Sequence, residues 1–408
     1  MEGAEGSEAD DAGGREPDSA ASRLTDDLIL QILSQLPARS LHRFRCVSRH
    51  WRDHICSPDN RRRMAQTFAG FFYIGWTCDD NNILSDKFLH FASVRANNGG
   101  EGPVIDPSAL SFPPGYHARL YRIDSCNNHL LIRTWDPVVR FATNYAVCNP
   151  ATDELSPLPD SPTLSERCTT ARLLFDPPSA GASSSSSRRS YRIFEFQCDD
   201  VGSYRCPDVW IYSTETRAWT YKQCGWAHDG DPVTLADDTS GVYHRGMLHL
   251  CPKEPVIASV DRDGNKWITT PKPADPGDDG FLGGPPPGHI GVSQGRVQFL
   301  NTPEYNHLKM CVWERDKGRW VPKHSIDLRE LFVTWDSRLG LNCRLLGVNP
   351  DRGMVYFLQG QHNKLASYDT ERGEGRIICE LGFNNYTPYV AYSPSFALSF
   401  ARTLREDQ

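Results

Sequence analysis

The chain has 408 residues, 39% of them apolar, and a formal net charge of −7. That length suits two or three domains, and the apolar share is enough for a buried core. The acidic balance, with a pI near 6.0, argues against a chain that coats nucleic acid over its whole surface. Thirteen cysteines are scattered without a Cys-x-x-Cys pair. This fits reduced thiols of the nucleus or cytoplasm better than a secreted disulfide framework. No basic segment followed by an apolar run opens the sequence, so no signal peptide is expected. No apolar stretch reaches the length of a membrane span. Asn385-Tyr386-Thr387 matches a glycosylation sequon, which has no meaning without secretion.

Residues 1–20 are mostly Gly, Ala, Ser, Asp and Glu, with no large apolar side chain after Met1. They cannot repay the entropy of ordering and are expected to be a disordered acidic segment. A helical module follows, over residues 21–66. Leu28, Ile29, Ile32, Leu33 and Leu36 paint one face of a helix of about two to three turns. Thr25 or Asp26 can cap its start, the acidic pair Asp26-Asp27 suits the positive end of the helix dipole, and Pro37 marks the stop. A second apolar set falls at Leu41, Phe44 and Val47, and a third at Trp51 and Ile55. Three short helices of this size have too little interior for so many large side chains. The surplus is expected to be buried on the rest of the chain or on another protein. Arg39, Arg43, Arg45, Arg49, Arg52 and Arg61 to Arg63 are opposed only by Asp53 and Asp59. They read either as a solvated face or as a basic surface that steers the module toward an acidic partner. No interleaved aromatic pattern supports nucleic-acid binding.

Positions 24 to 55 resemble the F-box. The marks are Asp27-Leu28, Ile32-Leu33, Leu36-Pro37, Ser40-Leu41, Arg45-Cys46-Val47 and Trp51. One departure is Thr25, where the family usually has Pro. Thr can still cap a helix, so a small change in the first turn is expected. The resemblance implies docking onto a Skp-type adaptor, and through it onto a cullin and a RING protein. The residues it implies for that contact are Leu24, Leu28, Ile32, Leu33, Leu36, Pro37, Leu41, Val47 and Trp51. A private three-helix core is the competing use of the same residues, and several can serve both.

After residue 70 helical periodicity fades, and short runs of Val, Ile, Tyr, Phe and Trp alternate with Gly, Pro, Asn and Asp. Phe71–Ile74, His129–Ile132, Tyr145–Val147, Tyr191–Phe196, Val209–Tyr212 and Val355–Leu358 read as strands. A repeat runs through this region. Asp208–Trp219, Val256–Trp267, Leu308–Trp320 and Leu365–Arg376 are each a strand, a polar turn and usually an aromatic residue opening the next strand. Tyr145–Leu155 is an earlier, degenerate copy. The terminal Trp is expected to pack between neighbouring sheets. Gly241–Leu250, His289–Leu300 and Arg344–Leu358 are second hairpins between the copies. Two hairpins per repeat make a four-stranded propeller blade, and roughly 50 residues per repeat predict six or seven blades. The region resembles the F-box-associated, Kelch-like domain of plant F-box proteins. The predicted architecture is therefore α+β and multidomain: a short three-helix F-box over 21–66, then an all-β propeller over 71–400. Two loops interrupt the latter, a serine run within 179–190 and a Pro/Gly/Asp-rich stretch over 271–288.

Motifs for chemistry are weak. Gly291-Val292-Ser293-Gln294-Gly295 matches the nucleophile elbow, but a strand follows where that motif needs a helix, so it reads as a hairpin turn. Asp261-Arg262-Asp263-Gly264-Asn265 faintly resembles a calcium loop and reads better as a tight turn. Cys224 with His228, or Cys198 with Cys206, lack a second pair at zinc-ligand spacing. No catalytic, cofactor or metal residue is assigned. The tryptophans Trp76, Trp135, Trp210, Trp219, Trp226, Trp267, Trp313, Trp320 and Trp335 read mostly as core. The expected function is substrate recognition within an SCF-type ubiquitin ligase, with an unknown target protein held by the β domain, in the nucleus or cytoplasm. The alternatives are a carbohydrate- or protein-binding propeller without a ligase role and, further off, a propeller enzyme.

Overall fold

The apolar spacing of the first helix forces a choice. Leu28, Ile29, Ile32, Leu33 and Leu36 span an arc too wide for one side of a small bundle to bury. In the computed structural model, which describes residues 24–61, 63–64, 66–78, 84–94, 120–135, 143–163, 168–176, 190–199, 204–236, 239–273, 288–301, 309–327, 343–360, 362–382 and 385–396, the arc is split. Ile29 and Leu33, one turn apart, are fully buried, while Leu28 and Ile32, also one turn apart, point outward. The acidic segment 1–20, most of the serine run and most of the 271–288 loop lie outside the described residues, as do Trp335 and the side chains of Trp76 and Trp135.

The chain divides into two units, residues 1–65 and 66–408. The first holds α1 (Asp26–Ser34), α2 (Ala38–Phe44), α3 (Arg49–Cys56) and a further single turn, α4 (Pro58–Arg61). Helices α1 and α2 both pack on α3. Phe44 meets Trp51 edge to face at 5.4 Å, which ties α2 to α3. Thr25 stands at the N-cap of α1 and its carbonyl accepts from Ile29 N at 3.0 Å, but its side chain makes no capping bond. The expected Thr25 cap is therefore a backbone one. The side-chain cap occurs instead at α3, where Ser48 Oγ accepts from Trp51 N at 3.1 Å.

The second unit is built of antiparallel sheets, five of four strands and one of three, with a two-stranded ribbon (Ala227–His228 and Asp231–Pro232) besides. Counted from the innermost strand outward, blade 1 holds Asn385–Tyr392, Gly70–Cys78 and Leu84–Ser93. Blade 2 holds Leu120–Cys126, His129–Trp135, Thr143–Asn149 and Glu154–Pro157. Blade 3 holds Cys168–Phe175, Tyr191–Gln197, Asp208–Ser213 and Ala218–Gln223. Blade 4 holds Gly241–His244, Met247–Leu250, Val256–Asp261 and Trp267–Pro271. Blade 5 holds Gly288–Ser293, Arg296–Asn301, Lys309–Asp316 and Arg319–Asp327. Blade 6 holds Cys343–Val348, Met354–Gln359, Lys364–Asp369 and Glu374–Glu380. The six innermost strands neighbour one another in a closed ring, with that of blade 6 meeting that of blade 1. The expected six or seven blades are therefore six, and the repeats seen in the sequence are the outer hairpins of blades 2 to 6.

Each junction between adjacent blades has its own apolar core. Phe72 and Tyr392 face Ile123 and Ile132 between blades 1 and 2, and Tyr145 and Val147 face Phe175 and Ile193 between blades 2 and 3. Phe194 and Phe196 face Leu248 and Leu250 between blades 3 and 4. Ile257 faces Phe299 and Trp313 between blades 4 and 5, Met310 and Val312 face Phe357 between blades 5 and 6, and Tyr356 and Leu358 face Phe71 and Tyr73 between blades 6 and 1. The repeat tryptophans serve these seams as expected. Trp219 reaches Tyr145 of blade 2. Trp267 lies 4.6 Å from Trp226, and Trp320 lies 6.2 Å from Phe299.

Blade 1 closes the ring with strands from both ends of the unit. Asn385–Tyr392 pairs antiparallel with Gly70–Cys78. Ala69 N donates to Tyr392 O at 3.0 Å, and Ser125 Oγ of blade 2 donates to Ala391 O at 2.7 Å. Closure of this kind removes the sheet's free ends from solvent.

Candidate functional site

The residues expected to contact an adaptor separate by exposure. Leu33 and Leu41 are fully buried. Leu24, Leu36 and Trp51 are half-buried, and Pro37 is exposed. Leu28, Ile32 and Val47 leave 48%, 39% and 61% of their surface in solvent. Three aliphatic side chains of this size are left outside a unit this small, and complete burial of each is worth roughly 1.5–3 kcal/mol relative to full exposure. Leu28 and Ile32 lie one turn apart on α1, so a partner that covers one can cover the other. Leu33 and Leu41 hold the helices that present them. In the same unit, Arg43, Arg49, Arg52 and Arg63 are exposed and Arg39 and Arg45 half-buried. Arg52 Nε donates to Arg45 O at 3.0 Å, which fixes one guanidinium over the turn after α2.

A second gathering in this unit was not assigned from the sequence. His50 and His54 stand one turn apart on α3 and aim at the carboxylate of Asp26, the first residue of α1. His50 Nε2 lies 3.1 Å and His54 Nε2 3.4 Å from Asp26 Oδ1. The two rings meet edge to face at 4.6 Å. The i, i+4 spacing of His50 and His54 was visible in the sequence. The arrival of Asp26 from another helix was not.

In the propeller, the motifs that resembled chemistry lie in turns and at buried or half-buried positions. Ser293 Oγ donates to Arg352 O at 3.0 Å, and Gln294-Gly295 has positive φ at both residues, so the elbow-like sequence is a hairpin turn. The calcium-like loop is also a turn: Asp261 Oδ1 accepts from Asn265 N at 2.7 Å and Lys266 N at 3.1 Å. Its outward oxygens receive the ammonium of a neighbouring lysine. Lys222 Nζ of blade 3 donates to Asp263 O and Asn265 Oδ1, both at 2.6 Å. Cys198 and Cys206 are buried and Cys224 is half-buried. Burial pushes the Cys224 thiol well up, away from the thiolate a metal needs.

Charged groups of the propeller pair off within the fold. Arg172 meets Asp124 at 3.2 Å on the innermost strands. Burial raises the Asp124 carboxyl against the opposing pull of Arg172. The cavity beside this pair holds about 10 Å³, room for a water-sized group and not for a substrate. Buried Glu195 accepts from Ser161 Oγ at 2.5 Å and from Thr163 Oγ1, which latches the segment after blade 2 onto blade 3. Arg192 joins Glu215 and Asp263 at 3.3 and 3.2 Å, and hydrogen bonding from Arg192 holds the Glu215 carboxyl below its usual range. A cleft of about 560 Å³ opens between turns of blades 5 and 6, lined by both signs of charge, including Arg352, Asp369, Arg372 and Arg376.

Comparison with known proteins agrees with this division. Residues 21–63 match the F-box domain family. An F-box/kelch-repeat protein of Arabidopsis thaliana is 24% identical over 255 residues, 61% of this chain and 54% of that protein. An F-box protein of the same plant is 22% identical over 327 residues, 75% of this chain and 71% of that protein. A further Arabidopsis F-box protein is 57% identical over 37 residues, 9% of each chain. The chain thus spans about half the length of the F-box/kelch-repeat relative and less than a tenth of the last. Among solved structures, the β-propeller domain of the Trilobed protease from Pyrococcus furiosus aligns with a TM-score of 0.37 at 12% identity, over 77% of this chain and 84% of that one. The helical unit thus matches the F-box domain family over residues 21–63, and the second unit is a six-bladed β-propeller.

Proposed function

We propose that this protein is the substrate-recognition subunit of an SCF-type ubiquitin ligase. The helical unit docks on a Skp-type adaptor, which connects it to a cullin and a RING protein, and the propeller holds the target protein. The observation that carries this reading is the outward position of Leu28, Ile32 and Val47 within the F-box match. An interface of standard size removes roughly 800 Å² from each partner, and exposed aliphatic side chains are the part of such a surface that gains most from burial. The exposed arginines of the same unit speed encounter with an acidic adaptor surface. The subunit performs no covalent step. It raises the effective concentration of a target lysine near a charged ubiquitin-conjugating enzyme. Eleven described cysteines are free, which accords with work in the reducing nucleus or cytoplasm.

Co-purification with a Skp-type adaptor tests the reading. The wild-type chain is expected to capture the adaptor, and a folded Leu36→Ala, Trp51→Ala double variant to lose about 2 kcal/mol or more of binding. Undiminished capture by that variant contradicts the proposal. The carbohydrate-binding alternative needs exposed aromatic platforms. Each described propeller tryptophan side chain, from Trp210 to Trp320, is buried or half-buried, which leaves Tyr204 and Tyr221, at 37% and 49% exposed, as the tyrosines such a platform would use among the described residues.

A further inference from the structure

Asp26, His50 and His54 are the group of metal-type ligands that converges among the described residues. From their geometry we infer that the F-box unit carries a binding site for a divalent transition metal of the zinc class. Zinc bonds to imidazole nitrogen and carboxylate oxygen run about 2.0–2.2 Å, which makes the edges of a tetrahedral ligand set about 3.3–3.5 Å. Two edges are already in place, at 3.1 Å from Asp26 Oδ1 to His50 Nε2 and 3.4 Å to His54 Nε2. All three ligand atoms lie within 4.8 Å of one another, so the third edge closes with a small turn of one imidazole. The ligands come from two packed helices, with two of them at i, i+4 on the same helix face.

The donor set selects the metal. Two imidazoles and a carboxylate suit zinc, nickel or copper(II). They offer too few oxygens for calcium and too much nitrogen for magnesium. Metal binding takes the place of the Nε2 protons that face Asp26 Oδ1, so each ring keeps its proton at Nδ1. Asn60 packs on His54: its Nδ2 donates to His54 O at 3.2 Å and lies 3.4 Å from His54 Nδ1. His54 is 14% exposed and anchors the site, while His50 and Asp26 are 54% and 68% exposed. That leaves a fourth coordination position open to solvent or to a donor from a bound protein. A bound ion fastens the start of α1 to α3. It raises the stability of the helical unit in proportion to the logarithm of free metal above its dissociation constant.

The test is calorimetric titration of the full-length chain with Zn²⁺, in parallel with His50→Gln, His54→Gln, Asp26→Asn and a His228→Gln control. His228 also sits beside an aspartate, Asp229, at 3.3 Å, but belongs to no converging group of three among the described residues. The expected result is one saturable site per chain, weakened about tenfold or more by each of the three ligand substitutions and unchanged by the control. Cobalt(II) spectra provide the second measurement. A tetrahedral ligand-field band without a thiolate charge-transfer band is expected, lost in His50→Gln. Absence of a saturable site, a site retained in both histidine variants, or a cobalt spectrum dominated by thiolate overturns the inference.

Discussion

The two units differ in where they leave large apolar side chains exposed. The propeller seals its seams, where Phe72, Phe194, Phe196, Trp226 and Phe357 are at most 1% exposed, and leaves Tyr221, Val321 and Ile377 of its outermost strands at 47–56%. The helical unit buries Ile29, Leu33, Leu41 and Ile55 to the same degree but leaves Leu28, Ile32 and Val47 at 39–61%. Both follow one rule, that apolar surface is hidden where geometry allows. Six sheets in a closed ring give every blade two neighbours, whereas a few short helices have one shared interior and a far side. The difference is that the propeller's seams close on themselves, while the first helix of the small unit carries apolar side chains on both its inner and its outer side.

The largest effects are expected where the propeller closes on itself. Removal of Asn385–Tyr392 takes away the innermost strand of blade 1 and reopens the ring, and cooperative unfolding of the propeller should be lost. Trp226→Ala should cost about 3–5 kcal/mol in chemical denaturation. Its ring is buried against Phe196 and Trp267, and its Nε1 donates to Ser259 O at 2.8 Å. A cost under about 1 kcal/mol would show that the seam between blades 3 and 4 is not the core it is taken to be.

The next test sharpens the comparison inside a single helix. Leu33→Ala should destabilise the helical unit by about 2–5 kcal/mol. Leu28→Ala, at the opposite edge of the same apolar arc, should stay within about 0.5 kcal/mol. Equal costs would mean that the arc is not divided between core and partner.

Acid should act on the propeller through His249. Burial, with help from Arg315 and His244, lowers its pKa from 6.5 to about 4, while its Nδ1 lies 2.8 Å from Ser259 Oγ. The unfolded chain takes up this proton below about pH 6.5 and the folded chain only near pH 4. Stability from the neutral ring is therefore complete above pH 6.5 and falls as the pH drops toward 4, by about 1.4 kcal/mol per pH unit in that window. Burial lowers His289 to about 4 as well, so His249→Gln should reduce the slope without abolishing it, and an unchanged slope would assign it to other groups. The smallest effects are at the helix caps. Ser48→Ala should cost about 1 kcal/mol, and Thr25→Ala no more than a few tenths, because only Ser48 uses its side chain.

The outer hairpins of blades 2 to 6 were legible because each carries an aromatic residue or strand run on either side of a polar turn, and local pattern suffices for a hairpin. Blade 1 was not legible as a sheet, because Asn385–Tyr392 finds its partner more than 300 residues earlier, and pairing across that distance leaves no local mark. Turn chemistry was half visible. Arg245-Gly246, Gln294-Gly295 and Lys317-Gly318 all adopt positive φ at both residues, yet only the glycine announces it, since Arg, Gln and Lys are uncommon there. In the helical unit the apolar arc of α1 was readable but its division was not, because Leu28 and Leu33 look alike until α3 takes its place. The convergence of Asp26 on His50 and His54 was hidden for the same reason.

The most direct measurement is the affinity of the full-length chain for a Skp-type adaptor after Leu28→Glu and Ile32→Glu are introduced together, with thermal stability recorded on the same samples. The account predicts lost binding and an unchanged melting temperature, as expected of side chains that serve a partner and not the fold. Full binding by the variant, or a collapse of the helical unit in the absence of any partner, would contradict it.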